Sequence, residues 1–127
     1  MATRQDFTAG QVLLAAELDA VATAMIAINA QTGTTYTTVL ADDGKLITCS
    51  NAAAISVTIP PNSSVAYGIG TQINFAQLGA GQVTLVAGAG VTLNSAGAKL
   101  KLSAQYAVAT CVKTDTNTWF VVGNLSA

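Results

Sequence analysis

The sequence predicts a mainly β protein: an N-terminal helix followed by a compact antiparallel β-sandwich or barrel, with a short β-solenoid as the alternative architecture. Three observations predict it. Short apolar runs alternate with Gly-, Asn- and Pro-containing turns from Thr34 to the C-terminus. No helical period interrupts that series, so crossover helices for a parallel βαβ sheet are missing. Ahead of Thr34 the period changes to that of a helix. The chain therefore divides into residues 1–33, a helical stem or docking segment, and residues 34–127, a β domain.

In the first segment Leu14, Leu18, Val21, Met25 and Ile28 recur at alternating steps of four and three. That is the a/d rhythm of a coiled-coil seam. The alanines between them (Ala15, Ala16, Ala20, Ala22, Ala24 and Ala27) favour helix. A helix of about 15 residues is marginal alone in water, so its apolar stripe needs a partner. The five seam residues are the expected oligomer or docking interface, either between subunits or against the β domain. Asn29 and Gly33 are placed to stop the helix, because both tolerate the left-handed conformation.

In the second segment Thr35–Leu40 reads as the first strand and Lys45–Ser50 as its return, joined by a hairpin turn at Ala41-Asp42-Asp43-Gly44. Ile55, Val57 and Ile59 alternate with Ser56 and Thr58, and Pro60-Pro61 ends that strand. Further strands are expected at 71–77, 82–86, 91–93, 99–102, 105–114 and 118–122. Trp119 and Phe120 are consecutive in a strand, so one faces the core and the other faces solvent or a partner. The core is expected to hold Ile55, Val57, Ile59, Ile73, Phe75, Val83, Leu85 and Leu102.

Composition narrows the function. Hydrophobic residues make up 51% of the 127 and charged residues only 9%, well under the usual share of about 25%. Fewer ions then need desolvation when two protein faces meet, which favours an assembly component. Five Lys/Arg against six Asp/Glu leave a net charge of −1. No basic face is available for phosphates, and Lys99 and Lys101 read as solubilising a strand edge, so nucleic acid is not an expected partner. No apolar run approaches the roughly 18 residues of a membrane span. The opening Met-Ala-Thr-Arg-Gln-Asp-Phe shows no secretory pattern, which predicts synthesis in a cytoplasm.

The chain has no His. Ser-His-Asp and Cys-His pairs are therefore absent, and with them most zinc and iron sites. Cys49 and Cys111 read as core thiols, with a bridge between neighbouring strands as the alternative. Asp42 and Asp43 read as turn formers rather than a calcium contact or paired catalytic acids. Glu17 and Asp19 suit a helix start. Gly68-Ile69-Gly70 and Gly79-Ala80-Gly81 lack the Lys-Ser/Thr of a phosphate loop and read as turns or tight bends. No cofactor and no enzymatic activity are expected.

The segment Asp6-Phe7-Thr8-Ala9-Gly10-Gln11-Val12-Leu13-Leu14-Ala15-Ala16-Glu17-Leu18-Asp19 resembles the opening of many tailed-bacteriophage tail-fibre and minor tail proteins, where the pattern is roughly Phe-x-Ala-Gly-x-Val-Leu-Thr-Ala-Ala-Glu-Leu-Asn. In that pattern the Thr and Glu form a capping box, and here Leu14 takes the place of the Thr. The stretches 35–47, 57–64, 70–73, 79–84 and 118–123 resemble a β module of phage fibres and other particle proteins. The resemblance implies a virion protein made in a host cytoplasm: a homotrimer with host-surface or capsid contact. Other tail or capsid proteins are its expected partners, and a host-surface glycan is a further candidate partner. It names no catalytic residue. A trimeric tail-tip or tail-fibre appendage is the leading expectation. A capsid decoration protein and a lectin-like glycan-binding module are the alternatives.

Overall fold

The computed structural model describes residues 27–127. Leu14, Leu18, Val21 and Met25, and with them the expected helix, lie outside the described residues. The eleven strands described are β1 (Ile28–Gln31), β2 (Thr35–Thr37), β3 (Leu46–Cys49), β4 (Ile55–Ile59), β5 (Gln72–Gln77), β6 (Val83–Ala87), β7 (Thr92–Ser95), β8 (Lys101–Leu102), β9 (Val108–Asp115), β10 (Thr118–Gly123) and β11 (Leu125–Ser126). They form two mixed sheets, ordered β1-β3-β5-β9-β10-β7 and β11-β8-β6-β4-β2. The mainly β expectation holds.

The purely antiparallel expectation does not. Up to β6 the chain alternates between sheets, odd strands in one and even strands in the other. Each strand therefore returns to its own sheet running in its original direction. β1, β3 and β5 pair parallel, as do β2, β4 and β6. The crossover that a parallel pair requires is made by a strand of the opposite sheet, so no helix is needed. This is the solenoid alternative, realised over three coils. Antiparallel pairing takes over afterwards: β9 pairs with β5 and β10, and β8 pairs with β6 and β11. β7 closes one edge, parallel to β10.

Two local expectations change with the topology. Ile28 and Asn29 belong to β1, not to a helix end. Ile28 opens an edge strand in register with β3, so the β fold starts before Thr34. The segment around Asp42 and Gly44 is not a hairpin, because β2 and β3 lie in different sheets. Leu40–Asp42 forms a single 3-10 turn, and Gly44, at φ +77°, reverses the chain as expected.

The two sheets share one core. Ile47, Cys49, Ile55, Val57, Ile59, Ile73, Phe75, Val83, Leu85, Leu102, Ala109, Cys111, Trp119 and Val121 are all buried in a single cluster, which includes every core residue expected from the alternation. Tyr67 meets Trp119 edge-on, with ring centroids 5.4 Å apart, a favoured arrangement for the aromatic quadrupoles. Cys49 and Cys111 are free, buried thiols on β3 and β9, with β5 between those strands. Burial pushes Cys49 up to about 11 and Cys111 up to about 12, so neither thiol is poised to react near neutral pH.

Successive coils touch backbone to backbone at their corners. A Cβ on Gly81 would sit 1.8 Å from the Ala53 carbonyl oxygen, and one on Gly79 would sit 2.6 Å from that of Asn51. The Gly81 amide donates to the Asn51 carbonyl at 2.8 Å. Gly79 and Gly81 are thus the tight bends read from the sequence, and the reason is contact between one coil and the next.

Gly81→Ala is expected to destabilise the fold by about 3 kcal/mol, the upper range for overpacking, because backbone rather than a flexible side chain must yield. Urea denaturation of the variant measures this. A fragment starting at Ala27 is expected to keep the native melting temperature of the β fold. One starting at Thr34 should melt lower, having lost the pairing of β1 with β3. Circular dichroism melts of both fragments make the comparison.

Candidate functional site

Alternation within each strand of the six-stranded sheet sends one set of side chains into the core and the other outward. The register assembles the outward set into rows. One row runs Ile28, Leu46, Asn74, Thr110, Val122. A second runs Ala30, Thr48, Ala76, Val108, and a third runs Gln72, Val112, Phe120, Asn94. None of these residues is charged. Several are large apolar groups left in contact with water: Ile28 is 57% exposed, Phe120 49%, Val108 43% and Val122 42%. The outer face of the five-stranded sheet differs. Its row Thr35, Ser56, Thr84, Lys101, Ser126 carries hydroxyls and one cation.

The six-stranded face has the character of a protein contact: apolar and amide groups in a flat array, with no ion to desolvate. Of the five expected interface residues, the description reaches only Ile28, which lies on this face, on its outermost strand. Trp119 and Phe120 divide as their adjacency requires, Trp119 in the core at 1% exposure and Phe120 outward. Lys101 lies in β8 and is exposed, while Lys99 precedes that strand.

Behind the face, between the sheets, lie two polar groups whose burial was not expected. Asp42 is fully buried. Its Oδ1 accepts from the Asn29 amide at 2.8 Å, and its Oδ2 accepts from the Tyr36 hydroxyl at 2.6 Å and the Val39 amide at 2.9 Å. Both oxygens are thus committed within the fold, which leaves Asp42 as a tie between β1, β2 and the turn that follows β2. Lys113, 2% exposed, donates to Asn62 Oδ1 at 2.7 Å and to the Tyr67 carbonyl at 2.8 Å. It is in phase with Ala109 and Cys111 on β9, and that parity was the available signal for its burial. Asp42 had no such signal, since an Asp-Asp-Gly turn looks the same in sequence whether the carboxylate points in or out.

Tyr67 completes the network. Its hydroxyl lies 2.6 Å from the Val39 carbonyl and 2.9 Å from Thr38 Oγ1. A phenol has one proton, so it donates to the carbonyl and accepts from Thr38. Burial pushes Tyr36 up to about 12, reinforced by the hydrogen bond to Asp42 and by its charge. Burial likewise pushes Tyr67 up to about 12, with the Thr38 bond opposing.

Among the described residues no group of three or more His, Cys, Asp or Glu side chains stands close enough to hold a metal ion, and no helix is long and apolar enough to cross a membrane. Comparison with protein-family models, with curated proteins and with solved structures finds no match.

The two tyrosines set an alkaline limit. Their folded-state values lie above the unfolded value of about 10, so the folded state holds the phenolic protons more tightly. Their contribution is complete below pH ~10 and is lost as pH rises through the folded values near 12. Stability should be flat in this respect up to about pH 10 and fall beyond it, and Tyr36→Phe should make the fall shallower. Urea midpoints against pH, with phenolate absorbance as the second signal, check this.

Proposed function

We propose that the chain is a structural, non-catalytic protein of a tailed-bacteriophage virion: a homotrimeric appendage of the tail tip or tail fibre, built to contact other particle proteins and the host surface. The observation that carries the reading is the uncharged outer face of the six-stranded sheet, with its half-exposed Ile28, Val108, Phe120 and Val122. Exposed apolar groups spread over an uncharged face of this kind mark interaction sites. The resemblance of residues 6–19 and of the β stretches to phage particle proteins supports the same reading, as does the scarcity of charge along the whole chain.

In this reading Leu14, Leu18, Val21 and Met25 form the oligomer seam, and Ile28, which lies in β1, carries the same interface onto the edge of the uncharged face. A capsid decoration protein is the second reading, because an uncharged sheet face also suits a cap seated on shell subunits. Copy number per particle separates the two, since a decoration protein tiles the shell and an appendage is confined to the tail.

Native mass spectrometry of the purified chain is expected to give a trimer at micromolar concentration, and a monomer would defeat the proposal. Val21→Asp should break the trimer, because three like charges brought to one apolar axis cost several kcal/mol through desolvation and repulsion. The melting temperature of the β fold should stay unchanged. A lowered melting temperature with intact stoichiometry would place Val21 against its own β sheets instead.

A further inference from the structure

The same outer face holds a second feature away from the Ile28 edge, where the proposed oligomer seam joins it: four strand spacings off, or roughly 19 Å, Phe120 and Val122 stay open to a ligand. Two chain segments cross there from one sheet to the other. β10 ends at Gly123 and leads into β11, and β7 ends at Ser95 and leads through Ala96–Ala98 toward β8. Between these crossings opens a cleft of about 280 Å³, lined by Ala96 and Lys99 on one side and by 120–123 and Leu125 on the other.

The turn between the lining residues Ala96 and Lys99 is held in an uncommon backbone conformation. Gly97 and Ala98 are consecutive left-handed residues, at φ 68° and φ 57°. Alanine rarely adopts this conformation, and such residues gather at binding sites, where the surrounding structure enforces them. Here the Ser95 hydroxyl closes the turn by donating to the Lys99 carbonyl at 2.6 Å. The opposite wall is fixed by the Asn124 amide donating to Val108 and by the Ser103 amide donating to Asn124.

The lining chemistry is selective. Phe120, half exposed, offers an aromatic ring, and Val122 and Leu125 extend the apolar surface. Among the described residues Lys99 is the one charged lining residue, and no carboxylate lines the cleft with it. An aromatic face suits the C–H-rich face of a sugar ring, and an ammonium suits a carboxylate. The volume lies near the lower end of the roughly 300–1,000 Å³ typical of small-molecule pockets, which fits one ring rather than an extended ligand.

We propose that this cleft binds an acidic sugar, a single pyranose carrying a carboxylate, with the ring on Phe120 and the carboxylate on Lys99. That such a sugar would be presented on a host-surface glycan rests on the appendage reading above. The chemistry of the cleft does not. A neutral sugar leaves Lys99 without its partner, and a peptide carboxylate does not use the ring platform.

The test is a titration of the isotope-labelled full chain, followed by NMR, with methyl glucuronide, methyl glucoside and an acetylated dipeptide as probes. Methyl glucuronide should shift the amides of Lys99, Phe120 and Gly123, and bind about tenfold more tightly than the glucoside, the value of one charge-assisted contact. Lys99→Gln should remove that tenfold difference, and Phe120→Ala should weaken both sugars. Both side chains are exposed, so unchanged melting temperatures are expected. Should either variant fail to fold, the shift map of the unaltered chain still decides. Shifts absent from the cleft, equal affinity for both sugars, or equal affinity for the dipeptide would each overturn the assignment. A trimer that binds no glucuronide would leave the assembly reading standing, and a monomer that binds it would leave the cleft standing.

Discussion

The fold rests on one steric constraint: each coil must lie directly on the next. When the chain alternates between two sheets, its corners stack at the same spacing as its strands, a little under 5 Å. At that distance no side chain fits between corners. Gly79 and Gly81 meet Asn51 and Ala53 at one such corner, and Gly88 meets the Ile59 carbonyl at another. The same stacking satisfies backbone polar groups. The Leu78 amide reaches Cys49, Gly81 reaches Asn51 and Gly88 reaches Ile59. Only with the corners closed in this way do Ile55, Val57, Val83 and Leu85 fall into the register that buries them against Ile47, Ile73 and Phe75.

The buried charges follow from the same geometry. Where the sheets meet near the first coil, the chain turns without a hairpin and leaves amide and hydroxyl groups inside. Asp42 collects three donors from Asn29, Tyr36 and Val39, and Lys113 finds two acceptors in Asn62 and the Tyr67 carbonyl. These partners are neutral, so each ion is held by directed hydrogen bonds. Such arrangements specify one packing, because any other leaves the ion unpaired in an apolar interior.

Much of this was legible in the sequence. Alternation located nine of the eleven described strands and the core, because burial of every second residue is written directly in the residue types. The direction of pairing was not legible. Ile55–Ile59 has the same pattern whether its neighbour runs with it or against it, and parallel pairing here depends on where a strand in the other sheet carries the chain. β1 was missed because Ile28 also fits the helical seam, and β11 because it spans only Leu125–Ser126. On the candidate surfaces, the apolar character of Phe120 and Val122 could be read, but their meeting with Lys99 could not, since it depends on two separate crossings ending side by side.

The first coil has a further consequence. β1 and β2 are each the outermost strand of their sheet, and both lie at the same end of the molecule. Ile28-Asn29-Ala30-Gln31 and Thr35-Tyr36-Thr37 contain no lysine, proline or other residue that commonly blunts an exposed edge. Among the described residues nothing pairs with the outer side of either strand. An added coil of the same kind would continue both sheets at once, without disturbing the coils beneath. The fold is thus extensible at this end in the manner of a stacked array, whose length is set by whatever caps it.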